Sequence, residues 1–228
     1  MTPFIQADSV SLVAFLLIVA FVIMAFLNAV DRAEGPTLKI GVGLLAWLTL
    51  ISLLVGSGFL RDHPMPGLLL FFGLSNGAAV VVALSPLGRR MATTQSLACL
   101  IGFQAFRLPL EIVLHQWAAQ GTIPETMTWS GSNLDVITGV VAVIAMGLVH
   151  KYRGEFQWVV AWCFNMTGIL LLGNVARVAI LSSPLPFSWQ VDPPLQLAYY
   201  LPYAWIVPVC VAGALGGHIL LTRALIRR

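Results

Sequence analysis

The chain has 228 residues, of which 59% are hydrophobic and only 9% are charged, and its mean hydropathy is +0.91. A soluble domain carries about 25% charged residues, so this composition cannot coat a water-facing surface. It excludes a soluble enzyme, a nucleic-acid-binding domain and a disordered chain, and leaves an all-α polytopic membrane protein.

A helix needs about 20 mostly apolar residues to cross a bilayer. In chain order the sequence predicts spans at Ser9–Val30, Lys39–Leu60, Gly67–Leu84, Ser96–Trp117, Asn133–Val149, Trp158–Leu181 and Tyr199–Leu221. The first is preceded by Asp8 and by no Lys or Arg, and its apolar run is long enough to span, so it reads as a retained helix rather than a signal peptide. The seven segments form one membrane domain, residues 1–228, with no internal repeat and no soluble domain.

Charge sets the expected orientation. Nine of the twelve basic residues flank alternate span ends on one side: Arg32, Lys39, Arg89, Arg90, Lys151, Arg153, Arg223, Arg227 and Arg228. Arg61 alone lies on the other side, while Arg107 and Arg177 lie inside spans. The positive-inside bias then predicts seven helices with the N-terminus outside, the C-terminus in the cytoplasm and the chain in the cell membrane. The net charge of +3 records this bias and is no sign of a nucleic-acid partner. Two longer outer connections, about Ala118–Ser132 and Ser182–Ala198, are rich in Pro and Trp and read as interfacial belts or lids.

Cys99, Cys163 and Cys210 all fall inside spans and form no CxxC pair, so they read as buried structural thiols. The histidines show no metal-ligand spacing, and no metal is expected. No cofactor is specified by the sequence.

The informative segment is QAFRLPLEIVLH, residues 104–115. Arg107, Glu111 and His115 recur every four residues and share one helical stripe, with Gln104 one turn earlier. Charges at mid-membrane are costly and face the bundle interior, so Arg107 and Glu111 are expected to pair within the helix. Pro109 removes the N–H that would bond the Ala105 carbonyl, which predicts a kink. In the sixth span Asn174 and Arg177 share a face at similar depth. Where the fourth and sixth spans adjoin, Arg107, Glu111, His115, Asn174 and Arg177 would line one outward-facing pocket. Asn76 in the third span can add to it; Tyr199, Tyr200 and Tyr203 read as interface anchors, and Ser132 with Asp135 as a capping box. The fifth span is short, so the loop before it is expected to dip inward.

Two arginines against one glutamate favour an anionic ligand, because guanidinium is a permanent planar fork for carboxylate or phosphate. The expected function is binding or transport of a small anionic ligand or lipid headgroup. The alternative is a membrane-embedded enzyme at the outer leaflet, with Glu111 or His115 as acid or base and the arginines stabilising developing charge. Asn174-Val-Ala-Arg177 resembles the NxxR element of the exosortase and archaeosortase transpeptidases. The likeness covers four residues and implies an outward-facing site with a nucleophilic cysteine. The family's cysteine motif is not evident here, and Cys99 and Cys163 fall towards the cytoplasmic ends of their spans. A receptor or structural subunit of a membrane complex is the third class. Retinal chemistry is excluded because the only lysines, Lys39 and Lys151, sit at span boundaries.

Overall fold

A computed structural model describes residues 3–227, and among them every regular element is helical. Arg228, one of the nine basic residues counted above, lies outside the described residues. The principal helices are α1 (Ser9–Arg32), α2 (Thr37–Gly56), the short α3 (Phe59–Asp62), α4 (Pro64–Leu84) and α5 (Pro86–Thr94). They continue as α6 (Leu97–Phe103), α7 (Arg107–Ala119), α8 (Asp135–Lys151), α9 (Glu155–Ser182) and α10 (Ala212–Ile226).

Six segments are long and apolar enough to cross a membrane: α1, α2, α4, α9, the composite Leu97–Ala119 and the composite Tyr203–Ile226. Each corresponds to a span expected from hydropathy. Large apolar side chains stay exposed along these helices, among them Val10, Leu17 and Met24 on α1, Leu45 and Leu53 on α2, and Val159 and Leu170 on α9. Soluble proteins rarely leave such continuous apolar surface uncovered. The remaining expected span is α8, which is 17 residues long.

The boundaries have local causes. Asp8 caps α1 through the N–H groups of Val10 and Ser11. The backbone N–H and hydroxyl of Ser11, with help from Gln120 and Val10, hold the Asp8 carboxyl down to about 2. The second helix stops at Gly56, four residues before the expected end. Gly58 there takes φ +81°, a left-handed conformation that glycine adopts without steric cost. The α8–α9 connection is three residues, Tyr152–Gly154, and turns at Gly154 with φ +80°.

The kink expected at Pro109 takes the form of a 3-10 turn at Gln104–Phe106 that separates α6 from α7. Pro109 sits in the first turn of α7, where its missing N–H costs least. The last span is also irregular. It begins as a 3-10 turn at Tyr203–Ile206, passes through a π-helical turn at Val207–Val211 that contains Pro208, and continues as α10.

One helix lies outside the expected spans, and two local expectations are corrected. Residues 86–94 form a helix, because Ser85 caps Gly88 and Pro86 supplies a preset first turn. Tyr199 and Tyr203 are buried rather than interfacial: the Tyr203 hydroxyl accepts from the Ala7 N–H at 3.0 Å, and burial pushes the Tyr199 hydroxyl up to about 12. Cys99 and Cys163 are exposed, leaving only Cys210 buried. Span membership does not fix burial, since one face of every outer helix points away from its neighbours.

Candidate functional site

The predicted polar residues are assembled by α7, α8, α9, α10 and the segment entering α8. Direct packing of α8 against both α7 and α9 places the fifth expected span between the fourth and the sixth. The contact imagined between the fourth and sixth spans is therefore made largely through α8 and its preceding loop.

The expected intrahelical ion pair does not form. Arg107 Nε instead donates to Asp135 Oδ2 at 2.7 Å, and this is the one salt bridge among the described residues. Both residues are buried. Asp135 is the first residue of α8, and its carboxylate serves Arg107 rather than the helix end. That role falls to Asn133, whose Oδ1 accepts the Asp135 N–H at 3.0 Å, so the Ser132–Asp135 capping box is also corrected. Asp135 wins over Glu111 because it approaches from a neighbouring helix and meets the Nε edge of the guanidinium. Glu111 leaves the same helix one turn away and turns to the Asn133 amide, which donates at 2.9 Å.

Arg107 also reaches α10. Its Nη1 donates to His218 Nε2 at 3.2 Å. A guanidinium has only donors, so His218 Nε2 is the acceptor and the proton is on Nδ1. Nδ1–H then donates to Asn165 Oδ1 at 2.9 Å, and the Asn165 amide donates to Thr222 Oγ1 at 2.7 Å. Thr222 closes the loop by donating to the His218 carbonyl. The direction of these bonds, from Arg107 through His218 to Asn165, fixes a neutral imidazole of one tautomer. The ring lies against the backbone of Gly168, where a Cβ would come 2.2 Å from His218 Cε1.

His115, Asn174 and Arg177 converge on the loop before α8. His115 stacks on Trp129 with ring centroids 4.2 Å apart. Asn174 donates to the Ser132 carbonyl at 2.8 Å. Arg177 Nη2 donates to Asn174 Oδ1 at 2.9 Å, and its guanidinium lies over Trp189 at 5.9 Å. All five predicted residues thus meet residues 129–135 directly or through one neighbour: His115 at Trp129, Asn174 and Arg177 at Ser132, Glu111 at Asn133, Arg107 at Asp135. Asn76 stays apart and bonds its own helix at the Phe72 carbonyl. Sequence reasoning missed Asn133, and it did not connect Asn165 or His218 to the site. The short fifth span, with two polar residues at its mouth, was the available signal for Asn133.

The five residues differ in state. Arg107 and Glu111 are buried, His115 and Asn174 are half-buried, and Arg177 is exposed. Glu111 Oε2, Asp135 Oδ1, Arg107 Nη2 and His115 Nδ1 have no partner among the described residues. Among the described residues none of the three cysteines hydrogen-bonds Asn174 or Arg177, whose partners are Ser132 and Trp189. No group of three or more metal-ligating side chains occurs among the described residues.

The fold and site describe an α-helical protein with six membrane-length helices and a buried polar network. The family model described as "Domain of unknown function (DUF8737)" matches residues 65–226, well over half of the chain, and the chain belongs to that family. Comparison with curated proteins and with solved structures gives no match.

Proposed function

We propose that this is a seven-span protein of the cell membrane, with its N-terminus outside, that binds a small anion or lipid headgroup at its outer face. Seven spans follow when α8 is counted. Its 17 residues rise about 26 Å, close to the hydrocarbon thickness, and the loop before it is packed inward on Glu111 and Asn174. The nine-to-one distribution of basic residues supports the orientation.

The observation that carries the binding reading is the state of Arg177. Arg107 is neutralised by Asp135, which removes it as a ligand cation. Arg177 is exposed, faces no carboxylate partner, and is held in place by Asn174 and Trp189. A guanidinium oriented by a neighbouring amide loses little freedom when it meets an anion. His115 of α7, half-buried and stacked on Trp129 of this loop, is the second group proposed to meet such a ligand. Glu111 keeps one carboxyl oxygen without a partner, and this supports outer-leaflet enzyme chemistry as the second reading.

Purified protein should gain thermal stability with inorganic phosphate or with phosphatidylglycerol, and Arg177→Gln should lose that gain at unchanged membrane abundance. Phosphate alone sufficing points to a free anion, and lipid alone to a headgroup. An unaltered gain in Arg177→Gln removes Arg177 from the site. A reporter active only outside the cytoplasm should work when fused near Trp189 and fail after Arg228; the reverse overturns the orientation.

A further inference from the structure

A cavity of about 750 Å³ lies away from the polar network, between α1, α2, α4, α6 and α10. That volume is within the range of small-molecule sites. It exists because α2 leans on its neighbours through its C-terminal half, where Ser52 accepts from Trp205 Nε1 at 3.0 Å. The N-terminal half of α2, from Lys39 to Trp47, stands back and forms one wall. The opposite wall is thinned by Gly213, Gly216 and Gly217 of α10.

Besides Asn28 and Cys99, three polar side chains mark this largely apolar space. Lys39 lines its rim and is exposed. Gln95, at the junction of α5 and α6, is nine-tenths buried, and its Nε2 has no partner although its Oε1 accepts from the Cys99 thiol. Ser75 lines the interior, is 1% exposed, and leaves its hydroxyl oxygen unpartnered. A buried amide donor without an acceptor is costly, and a ligand oxygen would relieve it. An apolar body, an acceptor near Gln95 and a negative end near Lys39 together describe a glycerolipid with an anionic headgroup. Its ester carbonyl would accept from Gln95, its phosphate would meet Lys39, and its acyl chain would fill the space along Ala79 and Gly216. Nearby charges at the α1–α2 turn are mixed: Asp31 and Glu34 accompany Arg32, and the Asp31 carboxylate is engaged by Thr37.

We infer that the cavity holds one anionic phospholipid, tail inward and headgroup at Lys39. In the orientation proposed above this lipid comes from the cytoplasmic leaflet. The cavity is separate from Arg177, so the two readings fail independently.

The test is native mass spectrometry of purified full-length protein after delipidation. It is titrated with phosphatidylglycerol or with phosphatidylcholine of the same acyl chains. With the other proposed site removed by Arg177→Gln, the protein should retain one phosphatidylglycerol in preference to phosphatidylcholine. In that background Lys39→Gln, an exposed change that leaves the core intact, should reduce that preference about fivefold, as expected for one lysine near an anionic headgroup. Gly216→Leu should remove retention of both lipids: a Cβ at Gly216 meets nothing within 4 Å, so the larger side chain grows into open space. On its own, Gly216→Leu should keep the phosphate response. No stoichiometric lipid on the Arg177→Gln protein, equal retention of the two lipids, or undiminished retention by a folded Gly216→Leu protein in that background would each overturn the inference. The Arg177→Gln titration decides the matter even where Gly216→Leu fails to fold.

Discussion

The Arg107–Asp135 pair can be tested against the pair that the sequence spacing suggests. Arg107→Leu strips Asp135 of its cation and His218 Nε2 of its donor at 3.2 Å. Breaking a buried ion pair from one side costs about 3–5 kcal/mol. Asp135→Leu leaves a guanidinium that cannot lose its proton, with only the His218 contact, and a cost of the same order, about 3–5 kcal/mol, follows. The double change Arg107→Leu with Asp135→Leu removes both charges. What remains is one unsatisfied imidazole nitrogen, worth about 1–3 kcal/mol. The double variant should therefore be at least as stable as either single, with a coupling of at least about 3 kcal/mol, at or above the top of the range seen for contacting residues. Equilibrium unfolding in mixed micelles, titrated with a denaturing detergent, measures all four corners of the cycle. A parallel cycle on Arg107 and Glu111 should give a smaller coupling, since Glu111 bonds Asn133. A larger coupling to Glu111 than to Asp135 would refute the assignment.

Two further predictions concern packing and pH. Gly168→Ala should destabilise by about 1–3 kcal/mol in the same assay, because its Cβ would enter the His218 ring. Gly173→Ala, one and a half turns away on the same helix with nothing within 4 Å of its Cβ, should instead gain about 0.5–1 kcal/mol; equal effects would deny the tight seat of His218. The Asp8 cap predicts an acid transition. Its folded carboxyl is held at about 2, below the ordinary 3.8, so its contribution is complete above the unfolded value and is lost as pH falls towards 2. Comparison of melting temperatures at pH 5 and pH 2.5 should show a smaller drop for Asp8→Asn than for wild type.

Hydropathy made the long elements legible because lipid imposes a length on every crossing helix. The stripe from Gln104 to His115 was legible for a similar reason: polar residues at four-residue spacing in an apolar run must share a face. Partner choice was not legible. Spacing along α7 offers Glu111 to Arg107, but Asp135 is 28 positions away in sequence and reaches Arg107 only after α8 packs on α7. His218 is further still, 111 positions from Arg107, and reads in isolation as a lone histidine near a span end. Cys99 and Cys163 show the same limit, since a residue inside a span can face either its neighbours or the surroundings. Local signals did exist for α5, where Ser85 and Pro86 form a cap and first turn, and for Asn133 at the mouth of a short helix.

The network and the cavity meet at α10, and this explains its composition. One face carries His218 and Thr222 into the chain that starts at Arg107. Gly213, Gly216 and Gly217 on the same helix line the cavity. Gln104 bridges the two regions: its amide donates to the Ala214 carbonyl at 3.0 Å, and a Cβ at Gly217 would lie 2.6 Å from Gln104 Nε2. Gly217 therefore has to stay small for Gln104 to reach the α10 backbone. The π-helical turn at Val207–Val211, immediately before α10, shifts the angular register of the helix relative to an uninterrupted α-helix. On this helix His218 meets Arg107, while Gly213 lies against Val22 and Phe103 and Gly216 faces open space. A change that repacks this turn should consequently disturb both the Arg107 contact and lipid retention, whereas Arg177, anchored on α9 through Asn174, is positioned without reference to α10.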